Sequence, residues 1–549
     1  MTTIDKKRVV NFFLNEGFLI SPDLVDNIPE NFNFSEFVKI TSTKIQSKDK
    51  PILLNKDLFF VINKSENNLD INWIEFEKSR ALLEKGKNGK IYETFLDILG
   101  YDIFEDKKNK LNRILDEIKE PEAIDFSEIK IDPSVLVLES YNKKPSGKKV
   151  KDFVSYFRFR YEYIRKILQN RPELDNIMSI NRIINKKDRD KVSLIGLVIS
   201  KDFTKNGNIL LKVEDLTGII DILINKNKED LFEVGKNIVL DEVVGINGIV
   251  GNKIVFVNSV VFPDIQVNKE MKKCLEEVYV AFISDLHVGS NMFLSEEFSR
   301  FIKWIRGEYG NFKQRKMASK VNYLFILGDL VDGVGIYPDQ ENELLIKDVI
   351  NQYRECARLL NEVPKHIKIV ICPGNHDALR ISEPQPILNE KYASAFYDLK
   401  NVTLVSNPSL VNVHSSENFS GFDILLYHGY SFDYYVSVVD SIRNSGGYDR
   451  ADLIMKFLLQ KRHLAPSHSS TLYVADPEED PLIIKKVPDF FATGHVHKAS
   501  VSNYKNVTMI CGSCWQSKTS FQEKVGHNPE PARVPVINLK TREIKLMKF

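Results

Sequence analysis

Residues 281–290 read AFISDLHVGS. An apolar run from Val278 to Ile283 stops at Ser284, and Asp285 and His287 follow two residues apart. Such a run ending in polar groups predicts a buried strand that delivers side chains to its C-terminal end. In α/β sheets, ligands bind at those carboxyl ends. Side chains two apart on a strand point the same way. Taken singly, the stretch also fits a plain strand-end turn with a hydrogen-bonded histidine.

The same pattern recurs downstream. Val321–Leu327 is followed by Gly328, Asp329 and Asp332, and Ile367–Ile371 by Gly374-Asn375-His376-Asp377. Ile424–Tyr427 is followed by His428-Gly429, and Phe490–Ala492 by Gly494-His495-Val496-His497. Five such ends in one segment predict a metal site. Carboxylates, an amide oxygen and imidazoles suit a borderline divalent cation such as Mn²⁺, with Mg²⁺ the harder alternative. Two ions about 3.5–4 Å apart can clamp an in-line displacement at phosphorus. The chain holds ten histidines, the first of them His287, so the chemistry is expected in the C-terminal half.

The bulk numbers frame this. A chain of 549 residues is too long for one core, and about two to four domains are expected. Hydrophobic content of 43% and charged content of 28% fit a soluble globular protein. Lys and Arg total 76 against 75 acidic residues, a net charge of +1, so any nucleic-acid contact must be local or through a partner. Five cysteines without a framework indicate a reducing compartment. With no signal-peptide core and no membrane-length apolar run, a cytoplasmic location without membrane attachment is expected.

Residues 1–120 read as a small helical domain. Val9, Phe12, Phe13 and Phe18 mark a first amphipathic helix with Gly17 as its stop, and Ser21-Pro22 opens the next. Further helices are expected at Trp73–Lys85, Lys90–Leu99 and Glu105–Glu120. Residues 121–150, punctuated by Pro121, Pro133, Pro145 and Gly147, read as a linker. Residues 151–185 are connecting helices. Phe153, Phe157, Tyr161, Ile164 and Leu168 form an apolar stripe, and Arg158, Arg160, Arg165 and Lys166 flank it. This helix packs on the next domain or contacts nucleic acid. Residues 186–270 are all β: five strands, with a helix near Lys228–Val234 before the fourth. That order matches an oligonucleotide/oligosaccharide-binding barrel. Its few aromatics favour a structural or subunit-contact role. Residues 271–549 alternate strand and helix, a layered α/β domain of two stacked sheets or one large one.

The five strand-end motifs resemble the calcineurin-like metallophosphoesterase superfamily. That resemblance implies that Asp329 bridges two ions, that Asp285, His287 and His497 complete one, and that Asn375, His428 and His495 complete the other. It implies that His376 protonates the leaving oxygen, and Asp377 is expected to orient it. The domain order, together with Phe153-x-x-x-Phe157-Arg158-x-Arg160-Tyr161, Val213-Glu214-Asp215-Leu216-Thr217-Gly218, Leu240-Asp241-Glu242-Val243, Arg462-His463-Leu464-Ala465-Pro466 and Val487-Pro488-Asp489, resembles small subunits of the archaeal D-family DNA polymerases. This implies a Mn²⁺-dependent 3′–5′ exonuclease in a complex with a large polymerising subunit. Primer-template or single-stranded DNA, and a sliding clamp reached through the complex, are the other expected partners. The competing readings are a scaffold for the large subunit, or a stand-alone phosphoesterase or repair nuclease.

Cys511-Gly512-Ser513-Cys514-Trp515 superficially matches a cysteine-protease nucleophile signature, but the expected reading is packing near the site. His463 and His468 read as a surface loop or a contact near the cleft, and His366 and His414 as structural.

Overall fold

The computed structural model describes residues 6–28, 32–44, 52–64, 76, 80, 133–144, 146–266, 269–519, 522–523 and 527–549. The chain divides into two compact units, Met1–Ala123 and Ile124–Phe549. In the first, helices Lys6–Asn15, Pro22–Asn27, Phe34–Lys44 and Lys56–Lys64 surround a parallel pair of short strands, β1 (Phe18–Ile20) and β2 (Ile52–Leu54). Gly17 takes φ 83° and ends the first helix, and Ser21 with Pro22 opens the second, as their residue types require. Phe18 lies in β1 rather than in the first helix. Phe13, Phe37, Leu58 and Phe76 close a small core. Apart from Phe76 and Arg80, the helices expected at Trp73–Lys85, Lys90–Leu99 and Glu105–Glu120 lie outside the described residues.

The expected linker needs correction. Within it, β3 (Val135–Ser140) pairs antiparallel with a strand far downstream, Val413 facing Val135 and Ser409 facing Ser140. The VLVLES run has the β-branched and apolar character of a strand, but the surrounding prolines and lysines obscured it.

The helix Val150–Gln169 leads into a closed five-stranded barrel: β4 (Lys191–Phe203), β5 (Ile209–Asp215), β6 (Gly218–Ile224), β7 (Val243–Gly251) and β8 (Ile254–Val261), in the order β4-β5-β6-β8-β7. The helix Glu229–Lys236 stands between β6 and β7, close to its expected place. The fourth strand starts only at Val243. Asp241 is left-handed at φ 64°, and the Glu242 carboxylate accepts the Val239 amide, which makes residues 239–242 a turn.

The rest is a four-layer domain. One sheet joins β9 (Tyr279–Ile283), β10 (Val321–Leu327), β11 (Lys368–Cys372) and β12 (Val402–Leu404), all parallel, with an antiparallel C-terminal hairpin. The second sheet holds β3, β13 (Ser409–Val413), β14 (Phe422–Leu426), β15 (Phe490–Thr493), β16 (Ser500–Tyr504) and β17 (Val507–Cys511). The hairpin of the first sheet is β18 (Arg533–Asn538) and β19 (Ile544–Lys548). The expectation left two sheets or one open; there are two.

Both faces of each sheet are buried at its centre, so the central strands read as unbroken apolar runs. The period of two still decides where each residue goes. Val280 and Phe282 face the inter-sheet core with Phe325, Val370, Ile424 and Phe490. Ala281 and Ile283 face outward, beneath the helices Ser295–Ile305 and Val349–Leu360. On the far side of the second sheet, Leu425, Phe491 and Met509 pack on the helix Ala451–Lys461. Among the described residues, no helix is long and apolar enough to cross a membrane.

The aromatic-basic helix packs on its neighbours through Arg160, while Arg158 stays exposed. Arg160 is fully buried and donates through Nε to Asp480 at 2.7 Å. Tyr156 donates to the other Asp480 oxygen at 2.6 Å, and His463 reaches Asp480 at 2.8 Å. The Arg160 guanidinium also lies over the Phe157 ring, 4.9 Å from its centroid. A buried ion pair holds only where further hydrogen bonds satisfy both partners, and here they do. His463 is therefore no surface residue: its side chain is 1% exposed. His468 is exposed, edge-on to Phe153 and Phe157. A second buried pair, Lys461 with Glu242 at 2.7 Å, ties the barrel to the helix Ala451–Lys461.

Burial, aided by the Arg160 charge, pushes His463 down to about 4. The unfolded chain, at about 6.5, therefore binds the extra proton between those values. Stability is fully present above pH ~6.5 and falls as the pH drops towards 4. Thermal melts across pH 4–7 should show this loss, of at most a few kcal/mol, and His463→Gln should flatten it.

Candidate metal centre

β9, β10 and β11 of one sheet, and β14 and β15 of the other, end at the same edge of the sandwich. The loops leaving them lock together. The Asp285 amide donates to the Gly328 carbonyl at 3.0 Å, the His287 amide to Asp329 at 3.1 Å, and the Gly494 amide to His428 at 2.8 Å. Every residue expected at the centre is brought there by this edge.

Two groups form. In one, His497 Nε2 lies 3.4 Å from Asp285 Oδ1 and 3.1 Å from His287 Nε2. In the other, Asn375 Oδ1 sits 2.9 Å from His428 Nε2 and 3.0 Å from His495 Nδ1. Asp329 stands between them: its Oδ2 is 3.4 Å from His428 Nε2 and 3.9 Å from His287 Nε2. Asp285, His287 and His497, and likewise Asp285, Asp329 and His428, are each spaced closely enough to hold one cation.

The hydrogen bonds behind the rings fix which nitrogen faces inward. His287 Nδ1 is 3.1 Å from Asp332 Oδ1, and His428 Nδ1 is 2.7 Å from the Leu327 carbonyl. His495 Nε2 is 3.1 Å from Asp433 Oδ2. Each of these positions needs an N–H, which leaves the opposite ring nitrogen aimed at the centre. There His428 and His495 meet oxygen atoms. A ring nitrogen can face an oxygen at that distance only through a proton or a cation.

The charges show the same demand. Burial opposes ionisation of Asp285 and Asp329, yet neighbouring imidazoles hold both carboxylates below their ordinary range. Burial also disfavours a charged His428, but Asp329 outweighs it and lifts the ring to about 10. The donor set therefore fits divalent cations, which would replace those protons.

The backbone carries strain at this edge. Asp285, His287, Asp329, His495 and His497 have φ of 52°, 50°, 50°, 69° and 53°, the left-handed region. Non-glycine residues there cost of order 1–3 kcal/mol each and persist where the surroundings over-determine them. Gly374 meets a different limit: a Cβ there would lie 2.2 Å from Asp329 Oδ1.

His376 lies beside the two groups. Its ring is 4.7 Å from that of His287, and its amide donates to Asp329 Oδ1 at 2.8 Å. The expectation that Asp377 orients this ring is corrected. His376 Nδ1 is 2.8 Å from the Asp332 carbonyl oxygen. Asp377 points inward, accepting from the Gly374 amide at 2.8 Å and the Tyr353 hydroxyl at 3.0 Å, so it pins the loop and not the imidazole. Burial and the Asp329 charge lift Asp377 to about 7.

Asp332, to which the resemblance assigns no role, touches both His287 and His376. Its carboxylate contacts His287 and accepts from Gln516 and Gln340, while its carbonyl holds His376. The spacing Gly328-Asp329-x-x-Asp332 was the available signal. Gln516, Gln340 and Asp433 lie outside any strand-end pattern and were missed. Cys511 and Cys514 are buried free thiols, Cys511 pushed up to about 12 by burial, so they pack and are not nucleophiles. His414 is buried, its ring 3.4 Å from the Tyr323 hydroxyl.

The centre opens into a cleft of about 360 Å³, bordered by His376, Tyr337, Tyr448 and His527. Two outcomes are expected. Gly374→Ala should cut divalent-cation uptake at least about tenfold, read as metal content after dialysis. Cation binding should release protons from His428 and His287, both raised, so affinity should climb as pH rises towards about 10. Titration calorimetry in buffers of differing ionisation enthalpy checks this.

Residues 278–499 match the family model described as calcineurin-like phosphoesterase. The DNA polymerase II small subunit of Methanothermobacter thermautotrophicus is 39% identical over 414 residues, 75% of this chain and 82% of that protein. The corresponding protein of Methanocaldococcus jannaschii is 38% identical over 71% of this chain and 64% of its own length. That of Pyrococcus furiosus is 37% identical over 79% and 69%. With a phosphoesterase domain behind a closed barrel and this similarity across most of its length, the chain belongs to the family of DNA polymerase II small subunits.

Proposed function

We propose that this chain is the 3′–5′ exonuclease of a two-subunit replicative DNA polymerase, removing mispaired nucleotides from primer ends by metal-dependent phosphodiester hydrolysis. The observation that carries the reading is the convergence of inward-facing ring nitrogens and buried carboxylates at the floor of an open cleft. Asp329 would be shared by two cations. Asp285, His287 and His497 would hold one, and Asn375, His428 and His495 the other. The mixture of imidazole and oxygen donors favours Mn²⁺ over Mg²⁺. Two such cations supply Lewis acidity, water activation and charge neutralisation at a scissile phosphodiester.

The protein's own part is orientation and proton transfer. Asp332 fixes the tautomer of His287 through its carboxylate and that of His376 through its carbonyl. His376 thereby keeps Nε2 free of the backbone, placed to give a proton to the departing 3′ oxygen. Burial lowers the His376 pKa, which makes it a readier proton donor once charged. The left-handed loops hold these groups without relying on flexible side chains.

The family name implies a large catalytic subunit as partner. DNA would be reached through that complex, and a sliding clamp through it as well. The closed five-stranded barrel exposes only Phe203 and Phe256 among its aromatics, which favours subunit contact over strand binding. In a soluble complex of this kind the chain would work in the cytoplasm.

Asp329→Ala and His376→Ala should each lower Mn²⁺-dependent degradation of a 3′-mispaired primer by at least about a hundredfold, with the fold and co-purification with the large subunit intact. Degradation at the wild-type rate in either variant would remove this site from the reaction.

A further inference from the structure

Four imidazoles face the centre, and three of them do so through Nε2. His495 alone uses Nδ1. Its Nε2 is turned away and lies 3.1 Å from Asp433 Oδ2. Asp433 is not part of any strand end. It sits in the first turn of the helix Phe432–Val438, five residues beyond His428. Tyr448, from the Gly447–Arg450 turn, lines the cleft beside the same carboxylate. Tyr430 closes one side of the ring, 5.8 Å between centroids.

An unheld imidazole exchanges tautomers freely, and a ring that binds through Nδ1 must keep its proton on Nε2. A carboxylate accepting that proton fixes both the tautomer and the ring's rotation. For His287 the role falls to Asp332, and for His428 to the Leu327 carbonyl. The Asp433 side chain is 54% exposed against 13% for His495. Its removal therefore leaves the core packing in place.

We propose that Asp433 is a positioning residue for the Asn375–His428–His495 half of the centre. This rests on the reading of the centre as a two-cation site. It adds a dependence of one cation, and not of the other, on a residue outside all five motifs.

The test is Mn²⁺ titration of the purified, metal-free full-length chain by calorimetry, with wild type, Asp433→Ala, Asp433→Asn and Asp433→Ser. Wild type should take two ions. Asp433→Ala should weaken one of them by about 10–100-fold and leave the other unchanged, with the melting temperature of the metal-free protein unaltered. Asp433→Asn keeps an oxygen that accepts from Nε2 and should restore most of the lost affinity. Wild-type affinity for both ions in Asp433→Ala overturns the proposal, as does an equal loss in the Ala and Asn variants. Should Asp433→Ala melt early, Asp433→Ser, whose oxygen is too short to reach Nε2, decides: unchanged affinity at both ions overturns the proposal. A wild-type chain that takes up no Mn²⁺ overturns the two-cation reading and this proposal with it. Two ions bound without nuclease activity would overturn the proposed exonuclease alone.

Discussion

Buried negative charge at one edge of the sandwich is the constraint on which the rest of the structure depends. Asp285 and Asp329 are both fully enclosed, and isolated carboxylates are not tolerated in such surroundings. Four imidazoles and an amide oxygen surround them, with the rings turned so that positive charge must lie between ring nitrogen and oxygen. The fold supplies what this arrangement needs. Two sheets end at a common edge, their loops pair with each other, and five residues are held in a backbone region they would otherwise avoid. The apolar layers on both faces of each sheet provide the energy that tolerates the strain.

The barrel and its leading helix are coupled to this domain by charge as well as by packing. Arg160 and Asp480 on one side, and Glu242 and Lys461 on the other, are buried pairs joining segments distant in sequence. Breaking one partner of such a pair leaves a charge without compensation, which costs more than the intact pair contributes. The two pairs thus make the orientation of barrel and helix against the second sheet specific.

The positions of the candidate ligands were legible because chemistry and strand-end position coincide in the sequence. Asp285 with His287, and His495 with His497, each follow an apolar run that can only be a buried strand. Strands lacking that contrast were harder to see. β3 hides between prolines and lysines, β13 and β16 are short and carry polar residues, and β19 intersperses lysines among apolar side chains. The part of the site supplied from elsewhere left no local trace. Asp433 and Gln516 reach their histidine and aspartate partners across 62 and 184 positions. Asp377 shows the opposite case: adjacency to His376 suggested a contact that the turn prevents, because the chain there directs consecutive side chains to opposite sides.

Composition, hydrophobic period and strand-end chemistry are enough to mark a barrel followed by a layered α/β domain with metal-competent side chains gathered at one edge. The residue types at that edge are ones that divalent cations accept, so they can be read in one dimension. Which nitrogen of each ring faces the centre, which carboxylate holds each ring and which arginine is buried were decided only by the tertiary structure. Those features depend on contacts between segments separated by tens to hundreds of residues, and on φ values that side-chain identity does not announce.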